Sequence, residues 1–121
     1  MIVRNLRASE PFTTKDGSEI RSLLDRSNAP VMQQSLAEAT IRPGSSTQRH
    51  RHPKTEEFYF VTQGTARMDI DGVLKEVGPG DAILIPPGAA HKITCTGSET
   101  LKILCCCAPP YDHDDTELLE N

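Results

Sequence analysis

Residues 44–64 read GSSTQRHRHPKTEEFYFVTQG, and this stretch decides the fold. In its second half, the run from Phe58 to Val61 is aromatic and β-branched, which predicts a strand. In its first half, His50 and His52 lie two positions apart, so on an extended backbone their imidazoles project from the same face. The stretch therefore joins strand-forming residues to a pair of potential metal ligands.

Short strands and turn residues continue on both sides of this stretch. Residues 65–70 alternate between apolar and polar, and Asp71-Gly72 is a favoured two-residue hairpin turn before the next strand. No amphipathic helix separates the predicted strands, which indicates an all-β fold, either an antiparallel sandwich or a jelly-roll barrel. The predicted strands cover residues 19–24, 35–42, 57–61, 65–70, 73–77, 82–85, 91–94 and 100–107.

A chain of 121 residues fits a single domain. We expect an N-terminal arm over residues 1–30, a barrel over 31–108 and an acidic C-terminal tail over 109–121. The formal net charge is −4 and no basic block is present, so a nucleic-acid partner is not expected. The longest apolar run, residues 103–108, is too short to cross a bilayer, and the start does not read as a secretory signal. A cytoplasmic protein without a membrane partner is therefore expected.

Four side chains are predicted to share one metal ion. Glu57 opens the strand that follows the pair His50 and His52, so its carboxylate can face the same interior. His91 follows the turn Pro86-Pro87-Gly88, which can bring a distant strand alongside the first two. Three neutral imidazoles and one carboxylate suit a divalent ion of Fe, Mn, Ni, Co or Zn and leave positions for water or substrate. The alternative is a solvated His-Arg-His-Pro loop that binds no metal.

The spacing of these residues resembles both sequence motifs of the cupin superfamily. The first motif is matched by Gly44, five residues, His50-x-His52, four residues, Glu57, six residues and Gly64. The second is matched by Gly80, five residues, Pro86-x-Gly88, two residues and His91, with Cys95 in place of the usual terminal Asn. The resemblance implies a small single-domain metal-binding cupin, a double-stranded β-helix (jelly-roll) barrel that is commonly a homodimer. Counting to Gly64 favours Glu57 over Glu56 as the carboxylate ligand.

Cupins include dioxygenases, decarboxylases, isomerases, lyases and non-catalytic ligand binders, so the fold does not fix the reaction. The resemblance implies a metal-dependent enzyme that acts on a small polar or carboxylate-bearing molecule, such as an oxygenase or a sugar-phosphate-isomerase-like enzyme. Two alternatives stay open. One is a non-catalytic module that binds or senses a small ligand through the metal, and the other is an association module whose metal is structural.

Further pocket residues are predicted from strand alternation. Tyr59 shares the face of the carboxylate ligand and is the candidate proton donor. The alternative is that Tyr59 is a core aromatic residue whose hydroxyl has a hydrogen-bond partner. Gln48 and Cys95 are predicted pocket groups. Cys105 and Cys107 are placed on the inner face of the last strand, where they line the pocket or pack as small hydrophobic residues.

Two other groups of residues face away from the predicted site. Phe58 and Phe60 fall on the outer face of their strand and would expose aromatic area, so a homodimer is expected. Residues 112–115 hold one histidine among three aspartates, and we expect this charged segment to be solvated rather than to form a second metal site. The four cysteines are expected to be free thiols.

Overall fold

The structure is a computed structural model that describes residues 1–120. Its regular elements are eleven antiparallel strands and two 3-10 turns, at Leu6–Ala8 and His113–Asp115, so the all-β prediction is confirmed. Among residues 1–120, no helix has the length and apolar character needed to cross a membrane. The strands are β1 (Pro11–Thr13), β2 (Glu19–Leu24), β3 (Ser35–Ile41), β4 (His50–Arg51), β5 (Glu56–Gln63), β6 (Ala66–Ile70), β7 (Val73–Val77), β8 (Ala82–Ile85), β9 (His91–Cys95), β10 (Leu101–Ala108) and β11 (Glu117–Leu118).

Two sheets with a shared core form the predicted jelly roll. The first has the strand order β1-β2-β3-β10-β5-β8, and the second has the order β11-β4-β9-β6-β7. Val61 and Ile103 of the first sheet pack in one buried cluster with Met68 and Ile93 of the second. In the part of the chain that is described, no strand ladder joins the sheets into a closed barrel, so the predicted barrel is observed as two facing sheets.

The predicted strands correspond to β2, β3 and β5 to β10, with ends that agree to within two residues. The predicted hairpin turn is also present, since Asp71 and Gly72 have φ angles of 50° and 85°. A two-residue turn of this type needs positive φ at both central positions, which Asp-Gly adopts at low cost. The short strands β1, β4 and β11 were not among the predicted strands, because three residues or fewer carry no readable alternation.

Alternation along β5 and β10 decides which side chains reach the interior. In β5, Glu57, Tyr59 and Val61 are buried, whereas Glu56 is exposed. Glu57 is therefore the carboxylate on the inner face, as the alternation predicts. In β10 the buried positions are Leu101, Ile103, Cys105 and Cys107.

Segments from both ends of the described chain join the sheets. β2 pairs along β3, and β1 pairs with β2, so the predicted arm extends the first sheet. β11 pairs with β4 and places Leu118 opposite His50. The carboxylate of Asp115 accepts hydrogen bonds from the backbone N–H groups of Lys54 and Thr55. The division into arm, barrel and tail stays a prediction, but residues of all three segments meet at the site.

Candidate metal centre

Three histidines meet on the inner face of the second sheet. His50 in β4 lies opposite His91 in β9, and their ring centroids are 4.2 Å apart. The ring of His52, just past the end of β4, is 5.1 Å from that of His50. Each residue offers a nitrogen, and these three atoms lie within 4.8 Å of one another. The structure therefore brings together the three histidines that the sequence singles out.

Hydrogen bonds at Nδ1 fix the tautomers of two of these rings. Nδ1 of His50 lies 2.7 Å from the carbonyl oxygen of Gln48, and Nδ1 of His91 lies 3.0 Å from that of Ala89. A carbonyl oxygen only accepts, so each Nδ1 carries a hydrogen. In the neutral ring, Nε2 then carries a free lone pair. This is the tautomer in which histidine binds a metal through Nε2.

The third ring is held in the same way by the C-terminal segment. Nδ1 of His52 lies 3.2 Å from Oγ1 of Thr116. That hydroxyl donates its own hydrogen to the carbonyl oxygen of Asp112 at 3.4 Å, so it accepts from the imidazole. All three histidines can therefore present Nε2 as a base to a common point.

Glu57 presents one oxygen to the same point. Its Oε1 lies 3.4 Å from Nε2 of His52 and 3.6 Å from Nε2 of His91. Within residues 1–120, Oε1 of Glu57 and Nε2 of His91 are buried without a hydrogen-bond partner. Two acceptors that face each other in this way repel unless a proton or cation lies between them, and an unpaired buried group costs about 1–3 kcal/mol. The donor set thus fits a bound cation.

The charges around this point also suit a cation. Burial raises the pKa of Glu57, but the close approach and the charge of His52 and His91 outweigh this effect and hold the pKa at about 2, so the group is ionised at neutral pH. Burial and the charge of His91 lower the pKa of His50. Burial also lowers the pKa of His52, yet its contact with Glu57 raises the pKa overall. A metal ion binds the neutral imidazoles and the ionised carboxylate, so protons and the ion would compete for the same atoms.

His50, His52 and Glu57 line a cavity of about 60 Å³. This is room for a few water molecules or a small ligand group. Away from the imidazoles the wall is largely apolar, so the cavity suits a molecule with a polar end and an apolar body. Apolar lining residues are Ile20, Ala39, Ile41, Ile93 and Ile103.

Tyr59, the predicted proton donor, lines this cavity. Its ring centroid lies 6.1 Å from that of His91. Burial, followed by the negative charge of Glu57, raises the pKa of Tyr59 well above its usual range. The phenol therefore keeps its hydrogen at neutral pH and can donate a hydrogen bond toward the cavity, whereas the raised pKa disfavours release of the proton.

The two predicted pocket groups Gln48 and Cys95 lie away from the cavity wall. The side chain of Gln48 is exposed, because β4 begins only at His50 and alternation does not extend back to residue 48. Cys95 is buried in the hydrophobic core, where its thiol donates to the carbonyl oxygen of Glu99 at 3.3 Å. It lies four residues along β9 from His91, a separation of about 13 Å in an extended strand. Within residues 1–120, the cysteines form no disulfide.

Some of the cavity residues come from segments in which the sequence predicted no site. Asp16 and Ser18 lie between β1 and β2, and Thr116 lies just before β11. Oδ2 of Asp16 is 3.4 Å from Nε2 of His50. The residues around Asp16 read as a turn, but a turn signal does not reveal which distant residues it contacts.

The family follows from a comparison with known domains. The family model described as a cupin domain matches residues 37–107 of this chain. The chain belongs to the cupin family. The matched range runs from within β3 to within β10 and includes His50, His52, His91 and Glu57, so the resemblance to cupins is confirmed.

Relatives and solved structures of similar size support this placement. An uncharacterized protein of Methanocaldococcus jannaschii is 49% identical over 111 residues, which are 92% of this cupin and 89% of the relative. The polyketide synthase protein CurC of Streptomyces cyaneus is 28% identical over 120 residues, 95% of this cupin and 77% of CurC. The structure of the polyketide cyclase RemF from Streptomyces resistomycificus superposes with a TM-score of 0.81 and 23% identity, covering 100% of this cupin and 87% of RemF. The RemF likeness shows a shared fold.

Proposed function

We propose that this cupin is a metal-dependent enzyme that acts on a small carboxylate-bearing or otherwise polar molecule. His50, His52, Glu57 and His91 would bind one divalent ion, of Fe, Mn, Ni, Co or Zn. Such an ion, when bound, supplies Lewis-acid or redox chemistry to an oxygen of the substrate.

The observation that carries this proposal is a pair of buried polar atoms that face each other without a hydrogen-bond partner. Nε2 of His91 and Oε1 of Glu57 are buried and unpartnered within residues 1–120, and they face each other at 3.6 Å. Ligands at right angles on an ion with bonds of about 2.1 Å lie about 3 Å apart, which is close to this separation. A single ion would satisfy both atoms together with the bases of His50 and His52.

The remaining cavity residues indicate the class of substrate. His50, His52 and Glu57 line the cavity, and Tyr59, which stays protonated, can donate a hydrogen bond to a substrate oxygen there. The apolar wall beyond them favours a substrate whose body is hydrophobic.

We also infer that the cupin forms a homodimer through the outer face of the first sheet. Phe58 and Phe60 are 51% and 43% exposed on β5, and Leu84 is 54% exposed on the neighbouring β8. Adjacent exposed apolar side chains of this size are typical of an interface. A cytoplasmic location remains a prediction from the sequence.

Metal analysis of the purified protein tests the proposal. We expect about one transition-metal ion per chain in the wild type, a metal content near background in His52→Ala and a smaller loss in Glu57→Gln. His113→Ala is the matched control, because His113 is an exposed histidine in the tail. Wild-type protein that stays metal-free after incubation with each of the five ions would contradict the proposal.

Catalysis is tested separately with the metal-loaded protein. Small carboxylates with apolar bodies are incubated with it under air and under nitrogen, and oxygen uptake and products are measured. Product formation that disappears in Tyr59→Phe with metal content intact supports an enzyme with Tyr59 as donor. Saturable binding of such a molecule without turnover would contradict the enzyme proposal and support a non-catalytic binding module instead.

A further inference from the structure

Asp16 is a second buried carboxylate beside the histidines, and it lies next to His50. Its Oδ1 accepts hydrogen bonds from the backbone N–H and the hydroxyl of Ser18, at 2.9 and 2.6 Å. Its Oδ2 is left to face Nε2 of His50 at 3.4 Å. The carboxylate is buried and lines the cavity. One oxygen is thus anchored and the other faces His50.

The loop that carries Asp16 is fixed to the segment that carries His50. The backbone N–H of Gln48 donates to the carbonyl oxygen of Asp16 at 2.7 Å. Gly17 adopts a φ of 90°, which lets the chain turn directly after Asp16. The carboxylate is therefore placed by backbone contacts that are independent of the His50 side chain.

The contact between Asp16 and His50 repeats the acceptor pairing seen at Glu57. Nδ1 of His50 carries the hydrogen that is donated to Gln48, so Nε2 of the neutral ring has none to give to Oδ2. Both atoms are then acceptors at 3.4 Å, close to the separation of about 3 Å between adjacent ligands of one ion. A cation between them removes the repulsion.

The net charge of the proposed metal site also favours a second carboxylate ligand. A divalent ion held by three neutral imidazoles and Glu57 alone would leave one net positive charge in a buried site. Burial of an uncompensated charge is costly, and a second carboxylate cancels it. Asp16 is the buried acidic residue whose free oxygen faces a ring of the cluster from the side of His50.

We propose that Asp16 is a fifth protein ligand of the metal, bound through Oδ2. This inference rests on the proposed metal site and adds to it a residue from outside the matched cupin domain at 37–107. Five protein ligands on a six-coordinate ion leave one position for substrate, so the N-terminal segment would limit how a substrate can bind.

Crystals of the wild-type protein soaked in cobalt(II) chloride test this directly. We expect an anomalous peak among the imidazoles, with Oδ2 of Asp16 at about 2.0–2.2 Å from it. A peak bound by the histidines and Glu57, with Asp16 more than about 3 Å away, would overturn this inference and leave the proposed function standing. A soaked crystal without a peak at the imidazoles would overturn both.

Cobalt(II) affinity in solution provides a second test, by competition with a chelator. We expect Asp16→Asn to weaken binding by about 100-fold or more, beyond the usual loss for a residue that only orients a ligand. Asp25→Asn is the matched control, since Asp25 also lines the cavity but its carboxylate is taken up by Ser22 and Ser27. Equal cobalt affinity in wild type and Asp16→Asn would also overturn the inference.

Discussion

The thiol of Cys107 donates a hydrogen bond to Oε2 of Glu57 across 3.3 Å, deep in the interior. Because Oε2 is occupied in this way, the carboxylate turns its other oxygen, Oε1, toward the imidazoles of His52 and His91. Burial and the nearby Glu57 raise the pKa of Cys107, so the thiol keeps the hydrogen that it donates. Cys107 is thus a positioning residue for a proposed metal ligand.

This contact predicts that Cys107→Ala weakens cobalt(II) binding by about tenfold or more, the loss typical when a ligand loses its orienting partner. Cys107→Ser should retain most of the affinity, because a hydroxyl can still donate to Oε2. Cys105→Ala is the control, since Cys105 is a buried thiol on the same face of β10 with no hydrogen bond to Glu57. Equal cobalt affinity in Cys107→Ala and Cys105→Ala would refute the positioning role.

Thr116 is a second positioning residue, because its hydroxyl orients the imidazole of His52. Thr116→Val keeps the shape of the side chain and removes the oxygen that accepts from Nδ1 of His52. We expect metal affinity to fall about 10–100-fold, with little change in the far-ultraviolet circular dichroism spectrum. Thr62→Val, at an exposed hydroxyl of β5, should leave affinity unchanged. An unaffected Thr116→Val protein would show that the ring is oriented by other contacts.

The pKa of Glu57 predicts how the stability of the metal-free protein depends on pH. The folded-state pKa of about 2 is below the ordinary value of 4.5, so the folded state releases this proton more readily than the unfolded state does. The ionised Glu57 carboxylate therefore contributes to the free energy of unfolding above pH 4.5, and this contribution is lost as the pH falls toward 2. Urea denaturation of wild type and Glu57→Gln across this range should show a steeper acid loss in the wild type. Parallel curves would contradict the assignment.

The outer face of β5 predicts the effect of surface charge on association. Phe58→Glu should weaken the proposed dimer by about 2 kcal/mol or more, as loss of a central aromatic contact typically does. Light scattering over a dilution series measures this as a shift toward monomer. Val73→Glu, at a 72% exposed position on the second sheet, is the control. A wild-type protein that is monomeric at all concentrations would contradict the inferred interface.

Strand alternation and turn chemistry are local properties, which is why the sequence predicted most of the fold. The direction of Glu57 and Tyr59 followed from counting along one strand, and β10 could be treated in the same way. Gln48 lies before β4 begins, where no regular backbone relates its direction to that of His50. The side chain is accordingly exposed, although strand counting had placed it in the pocket.

Contacts made across the chain could not be predicted from local pattern. Asp16 reaches His50 through a turn between β1 and β2, and Thr116 reaches His52 through the 3-10 turn before β11. Neither residue has a periodic signal, because each lies in irregular backbone. Their positions depend on which strands pair, and one sequence does not report that pairing.

The site gathers side chains from residue 16 to residue 116 of a 121-residue sequence. A site assembled from segments this far apart in sequence does not exist in the unfolded chain, so an ion would bind the folded state much more tightly than the unfolded one. Ion binding would therefore add to the free energy of unfolding.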